Sequence, residues 1–489
     1  MSIPGFLSRP SRLRTSLLAF ILLGIGALLL FPSLGIPQGI VFDEAYMIPR
    51  GQKYINGIFF QECHPPLGRL LIALGQFILH PDAPSDRFAY VDQVNGDWPA
   101  GEDLRGYRLF PAIFGMLIPA IAFLILVVIT RDDWLSFFAG FALVFDNALL
   151  AQSHSALTDP FLIGFCLLFV LCLAWLYMRS GVPDRRDWLG WCLLGAALGA
   201  AAAVKLTGLF LVVAIPFYLW RFVREKAWRQ IVAFAGWAAL GFVIVTVLIW
   251  QVHFSLLRTF VPDDTFRLSQ VHRDILEGRS NPDPVTRLAV QMVDSYYYIL
   301  TYHENVPPLR LRMVGEIGSP WYMWPLGGRA IPYRWELGSG SFRAIYLIGN
   351  PVTWLFSLLG VLGGLVMALV DLKLRFLAPE RRAWLWVFLS LYVAYMLPIS
   401  LISRVLYLYH YLPPMVLGVI LFALCVREIR LAPRTRRELA IFLAVWVLIA
   451  FWVYSPFQYY LPMTRHQFEQ RNIWPVWDLE CIGCEQLIR

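Results

Sequence analysis

About eleven apolar runs dominate this 489-residue chain, at 16–34, 109–130, 134–152, 160–178, 188–204, 206–222, 231–252, 346–370, 383–402, 405–426 and 439–455. A helix of about 20 apolar residues crosses a hydrocarbon core of ~30 Å, and in lipid each segment must satisfy its own backbone hydrogen bonds. The expected fold is therefore an all-α polytopic membrane protein. Composition agrees, with 58% of residues apolar and 15% charged, whereas soluble domains carry about 25% charged residues. The net charge of +8 would suit a nucleic-acid binder only if the cations shared one surface. They occupy alternate connections instead: Arg179/Arg185/Arg186, Arg221/Arg224/Lys226/Arg229, Lys373/Arg375/Arg381/Arg382 and Arg427/Arg430/Arg434/Arg436/Arg437. With Arg9, Arg12 and Arg14 these fall on one side, which the positive-inside rule makes cytoplasmic. The expected partner is a lipid bilayer, with no nucleic acid. The first run is long for the apolar core of a signal peptide and lacks a small-residue cleavage site, so it is read as a retained helix.

The opposite, outer side carries the unusual polar groups. Residues 41–79 read VFDEAYMIPRGQKYINGIFFQECHPPLGRLLIALGQFIL. Asp43 and Glu44 follow directly on the first run, and Glu62 and His64 stand just ahead of Pro65 and Pro66. Leu67, Leu70, Leu71, Leu74 and Ile78 then share one helical face. That segment of roughly 14 residues is too short to span, so an interfacial helix is expected. Ionisable groups at a membrane boundary are costly to desolvate, which favours function over an ordinary polar loop.

Further polar groups punctuate the outer ends of the runs. Glu102, Arg105 and Arg108 precede the second, and Asp146 and Asn147 lie inside the third. His154 and Asp159 belong to QSHSALTDP, Lys205 to AAAVKLTGLF, and Arg404 and His410 to LISRVLYLYHYLPP. Each has an ordinary explanation when taken alone. Thr158 and Asp159 before Pro160 make a good helix start, and single cations snorkel to lipid phosphates. Arg108, Lys205 and Arg404 on the same face as two acidic pairs suit a shared site. Cations there would hold a phosphate or pyrophosphate, and a carboxylate would deprotonate an attacking hydroxyl. Acids at such a site could also hold Mg²⁺ or Mn²⁺, though no dense ligand cluster compels a metal.

The loop at 253–345 is rich in aromatics, with Tyr296, Tyr297, Tyr298, Tyr302, Trp321, Tyr322, Trp324, Tyr333 and Trp335. These suit an interfacial belt and stacking on sugar faces equally well. Cys166, Cys172, Cys192 and Cys425 lie within apolar runs, while Cys481 and Cys484 form a single C-x-x-C. That pair lacks the partner pair of a structural zinc site, so it forms a disulfide or nothing. No P-loop, G-x-G-x-x-G or internal repeat is visible, and an ATP-driven or dinucleotide-dependent machine is unsupported.

Five segments, in order from residue 41 to about 462, resemble the protein O-mannosyltransferase family of C-type membrane glycosyltransferases. The first of them, FDEAYM followed by YINGIFFQECHPPLGRLL, is similar to the family's DE pair, Y-x-x-G-x-F-F and acid-x-H-P-P-L-G-K/R elements. AAAVKLTGLF is similar to K-x-x-G-L-F; YLIGNPVTW, SRVLYLYHYLPP with its R…HYLP element, and YSPFQYYLP complete the set. In HSALTD, His154 stands where the family's R-x-x-L-L-D has arginine, while Asp159 keeps the acid. The outer loop is too short for the β-trefoil MIR domain of eukaryotic members, which points to a bacterial-type enzyme of the plasma (inner) membrane.

The resemblance implies a C-type glycosyltransferase fold with about 11 transmembrane helices and interfacial helices in the first outer loop. It implies transfer of mannose, with inversion, from a polyprenyl-phosphate-linked donor to Ser or Thr hydroxyls of a translocated protein, delivered for example by the secretion translocon. In that scheme Asp43 is the base, kept ionised by neighbouring cations, and Glu44 is the second acid of the catalytic pair, positioning the acceptor or bracing the motif. Arg108, Lys205 and Arg404 hold the donor phosphate, and Glu62, His64, Asp159 and His410 position the acceptor or brace the motif. The expected organisation is an N-terminal module at 1–252 with its catalytic loop at 35–107, the outer loop at 253–345, a C-terminal module at 346–456 and an outer tail at 457–489. Two alternatives stay open. An aminoarabinose-transferase-like enzyme would use the same donor logic with a lipid or glycan acceptor. A lipid transporter would instead show internal repeats with broken helices near mid-membrane.

Overall fold

The computed structural model describes residues 11–80, 103–179 and 187–482, except 264, 312 and 314. Glu102 lies outside them. The first membrane helix, α1 (Arg12–Leu30), is capped by the Ser11 side chain, which accepts from the Arg14 N–H. Two short helices follow in the first outer loop, α2 (Glu44–Asn56) and α3 (Leu67–Leu79). Next come α4 (Arg105–Thr130), the bent pair α5 (Asp133–Val144) and α6 (Asn147–His154), then α7 (Asp159–Met178) and α8 (Trp188–Val204). A tight 3₁₀ stretch, Leu206–Ala214, runs into α9 (Ile215–Arg224), and α10 (Trp228–Leu256) completes the first half. The outer loop holds α11 (Gln270–Leu276), α12 (Pro284–Thr301) and strand β1 (Ile331–Leu337). Strand β2 (Phe342–Leu347) leads to α13 (Pro351–Leu374), α14 (Pro379–Ser400), α15 (Leu412–Glu428) and α16 (Pro433–Gln458). Strand β3 (Pro462–Met463) and α17 (Arg465–Glu469) lie in the tail.

Among the described residues, nine helical segments are long and apolar enough to cross a membrane. The bent pair and the shorter apolar helix α8 occupy the two remaining predicted runs. The run at 134–152 departs from expectation, because α5 and α6 meet at 57°. Asp146 sits at that break and accepts the Leu149 N–H at 2.9 Å as the N-cap of α6. Its other oxygen accepts from the Asn350 N–H and Trp354 Nε1, both at 3.0 Å. Asn350 in turn donates to the Phe145 and Val447 carbonyls. The Phe145 carbonyl freed at the kink and the buried Asp146 carboxylate are thus satisfied by Asn350 and Trp354 at the start of α13, as a break within a bilayer requires. The kink aims the end of α6 and the start of α7 towards the first outer loop.

A second departure is the antiparallel sheet β1–β2–β3, which joins the outer loop to the tail. β2 crosses the expected boundary at 345, so loop and C-terminal module share a strand. Tyr333 is a bulge in β1, because Pro332 pairs with Tyr346 and Arg334 already with Ile345. Such bulges re-aim one side chain out of the pleat.

The interfacial segment forms as expected and sits close on α4. A Cβ on Gly75 would strike the Gly106 carbonyl, so only glycine permits that approach. α3 buries Gly68, Arg69, Ile72, Gly75 and Gln76, whereas Leu74, Phe77, Ile78 and Leu79 are exposed. In the tail Cys481 is disulfide-bonded; Cys484 lies outside the described residues.

Candidate active site

The first outer loop folds back against α4 because one arginine gathers it. Arg108 is fully buried and donates from Nε and Nη2 to Glu44 at 2.8 Å each. Its remaining donors reach the carbonyls of Leu34, Pro37 and Gly39. Glu44 also accepts the Val41 N–H at 2.9 Å and the Ala156 N–H at 2.7 Å. A guanidinium carries five N–H donors and a carboxylate about four lone-pair sites, so both groups are saturated. This corrects the phosphate role expected of Arg108 and narrows Glu44 to bracing the motif. Arg108 has no donor left for a phosphate, and Glu44 has no free oxygen for proton transfer. Together they brace the loop.

That brace presents Asp43. Phe42 before it holds a left-handed φ of 49°, which costs a non-glycine residue of order 1–3 kcal/mol and persists only where neighbours impose it. The neighbours are visible. The Phe42 N–H donates to the Tyr333 carbonyl at 3.0 Å, and the two rings stack at 4.5 Å. Tyr407 and Tyr409 meet the Phe42 ring edge-on. Asp43 heads α2 without capping it. Among the described residues its half-buried carboxylate has no hydrogen bond or ion pair.

Burial raises the Asp43 carboxyl to about 7, with Lys205 opposing and Asp159 reinforcing the shift. Desolvation outweighs the nearby cations, so they hold the carboxyl only partly ionised at neutral pH, short of the full ionisation expected. A carboxyl poised near neutrality suits a general base.

Lys205 and Asp159 face each other across the site. Lys205 Nζ donates to Asp159 Oδ1 at 2.6 Å and lies 5.3 Å from the centre of the Tyr409 ring. Asp159 Oδ2 accepts from Gln152 Nε2 at 2.8 Å, and Gln152 Oε1 accepts the Tyr333 hydroxyl at 2.6 Å. Asp159 thus opens α7 while its carboxylate turns to Lys205 and Gln152. An ammonium has three donors, so two remain on Lys205.

The HPP motif forms the second wall. Glu62 pairs with Arg50 and, at 2.9 Å, with Arg69. Burial alone would raise Glu62, but Arg69 and Arg50 overcome it and bring the carboxyl down to about 2. Glu62 is thus a fixed anion. Burial, helped by Arg69 and Lys205, lowers His64 well below its usual value and keeps it neutral. His410 stacks between Tyr409 and Trp324, its Nδ1 3.0 Å from the Tyr407 carbonyl.

Arg404 stands on the rim. It donates only to the Val405 carbonyl among the described residues, and its backbone is bridged to Pro308. The Tyr407 hydroxyl is raised by burial and by the charge of Asp43, and opposed by that of Arg404.

His154, in the family's arginine position, lies with Nε2 3.0 Å from Ser33 Oγ and the Leu30 carbonyl. No group of three or more His, Cys, Asp or Glu side chains among the described residues is arranged to hold a metal ion.

The structure thus brings Asp43, Lys205, Asp159, Glu62 and His64 into one electrostatic neighbourhood. It adds four residues that sequence reasoning had not assigned: Phe42, Arg69, Gln152 and Tyr333. Phe42, Arg69 and Gln152 lie inside motifs already singled out, and Tyr333 among the loop aromatics.

Two family models cover most of the chain. "Dolichyl-phosphate-mannose-protein mannosyltransferase" matches residues 20–258, and the "C-terminal four TMM region of protein-O-mannosyltransferase" matches 292–477. The chain belongs to the protein O-mannosyltransferase family. Protein O-mannosyl-transferase 2 of Danio rerio is 28% identical over 305 residues, 60% of this chain and 38% of that protein. Dolichyl-phosphate-mannose–protein mannosyltransferase 3 of Saccharomyces cerevisiae is 28% identical over 277 residues, 53% and 35% respectively. The match therefore spans little more than a third of these relatives' lengths.

Among solved structures, the S. cerevisiae Pmt1–Pmt2 complex bound to the sugar donor superposes with a TM-score of 0.83 at 15% identity, over 97% of this chain and 94% of that one. ArnT from Cupriavidus metallidurans, bound to undecaprenyl phosphate, gives 0.50 at 15% identity over 89% and 70%. At these identities the likeness is one of fold, that of the C-type membrane glycosyltransferases. The family's membrane fold and the apolar helices make this a multi-pass membrane protein.

Proposed function

We propose that this chain transfers mannose, with inversion, from a polyprenyl-phosphate-linked donor to Ser or Thr hydroxyls of proteins on the outer face of a bacterial plasma membrane. The observation that carries the proposal is Asp43, an unpaired carboxyl near neutrality facing the Lys205–Asp159 pair. The acceptor oxygen attacks the anomeric carbon from the face opposite the phosphate. As the new C–O bond forms, the hydroxyl proton passes to Asp43, and the old C–O bond breaks with its electrons moving to the phosphate oxygen. Lys205, and Arg404 at the rim, stabilise that developing charge, which removes the need for a general acid. Neutral His64 and the fixed Glu62 anion border the acceptor side. A polyprenyl-phosphate donor is consistent with the family description and with the lipid phosphate named for the ArnT structure.

The test is mass spectrometry of purified protein given radiolabelled polyprenyl-phosphate mannose and a panel of Ser/Thr peptides, with NMR of the product's anomeric carbon. Hexose on a peptide hydroxyl with inverted configuration is expected. Retention of configuration contradicts the single displacement, and transfer to lipid in place of peptide contradicts the acceptor.

A further inference from the structure

We propose that Tyr333, acting through Gln152, is a positioning residue that sets the placement of Asp43 relative to the Lys205–Asp159 pair; this rests on the function proposed above. Tyr333 meets both halves of the site with separate atoms. Its carbonyl accepts the Phe42 N–H, and its ring stacks on Phe42, the left-handed residue that immediately precedes Asp43. Its hydroxyl donates to Gln152 Oε1, whose amide donates to Asp159, which holds Lys205. Tyr333 and Gln152 are both buried.

The bulge in β1 gives the arrangement its geometry. Tyr333 is skipped by the ladder to β2, which frees its backbone carbonyl for Phe42 and turns its ring out of the pleat. A strand in regular register would engage that backbone in the sheet. The three contacts join elements far apart in sequence: the first outer loop, the α6–α7 corner and the strand of the large outer loop. None of them contacts the reacting atoms directly. Removing the hydroxyl leaves Gln152 Oε1 buried without a donor, a state the amide can escape only by turning away from Asp159. Asp159 and Lys205 then lose their fixed distance from Asp43. The chemical step suffers, because misplacement by about an ångström lowers rates on the order of 10²-fold. The loss then falls on the chemical step more than on ground-state binding of the donor lipid and the peptide.

The experiment is a double-mutant cycle in the full-length protein, with Tyr333→Phe, Gln152→Met and the double variant. Turnover and both KM values are measured with polyprenyl-phosphate mannose and a Ser/Thr peptide that the wild type uses. Tyr333→Phe keeps the ring and the stack on Phe42, and Gln152→Met keeps volume. Each single variant is expected to lose about tenfold in kcat, with donor and acceptor KM within about twofold, and the double variant to lose no more than either single. Multiplying losses in the double variant overturn the relay, as does a loss confined to KM or an undiminished Tyr333→Phe turnover. A wild type that transfers mannose from no polyprenyl-phosphate donor contradicts the function itself, and the relay with it.

Discussion

A carboxyl held near neutrality makes Asp43 both useful and costly. Its folded value of about 7 lies above the ordinary 3.8, so the folded protein binds this proton more tightly than the unfolded chain does. By linkage, stability then falls as pH rises between those values, and the full deficit is present above pH 7. Asp43→Asn is accordingly expected to raise the unfolding temperature at pH 8, to give no advantage below pH 4, and to lower kcat by about 10²–10⁴. Thermal melts at the two pH values check this, and a lower melting temperature at pH 8 would count against a desolvated carboxyl. In the wild type, kcat should rise with pH through about 7, because only the ionised carboxylate accepts the proton. Lys205→Ala and Arg404→Ala should each lower turnover by about 10²–10³, the usual effect of removing one preorganised charge. Near-normal turnover at limiting donor would reassign both to lipid headgroups.

At the scale of elements, the loop between α1 and α2 depends on Glu44 and Arg108. Breaking a buried pair by removing one partner costs about 3–5 kcal/mol. Arg108→Met should therefore lower yield and unfolding temperature, while the molecules that do fold should still bind the donor. A stable Arg108→Met protein with lost donor binding would restore the phosphate role that the geometry denies. The Asp43–Glu44 dipeptide, the HPP turn and the apolar runs were legible in sequence because they are local patterns of period, spacing and composition. The set of partners that fixes Glu44 was not. It includes Arg108 and the Ala156 N–H, both distant along the chain, and no local pattern shows which carboxylate they saturate. The kink at Asp146 was hidden likewise, since 134–152 is apolar apart from Ser136, Asp146, Asn147 and Gln152 and reads as one span. The partners that satisfy the break come from Asn350 and Trp354. The strands escaped notice for the same reason, being short and paired across more than a hundred residues between β2 and β3.

For the molecule as a whole, orientation and chemistry stand together, since the site lies at the end of the bundle opposite the basic connections. Ser339, at the exposed tip between β1 and β2, and Thr435, exposed at the start of α16, mark the two ends. A cysteine at Ser339 should react with an impermeant thiol reagent in intact cells, and one at Thr435 should not. The same two markers calibrate the direct measurement. In sealed proteoliposomes sorted by labelling, with polyprenyl-phosphate mannose in the bilayer, a Ser/Thr peptide is supplied on one side at a time. Mannosyl peptide is expected only when the peptide is on the Ser339 side, and none from Asp43→Asn vesicles that still bind donor. Product formed from the Thr435 side, or an Asp43→Asn enzyme within a few-fold of wild-type turnover, would contradict the proposed function.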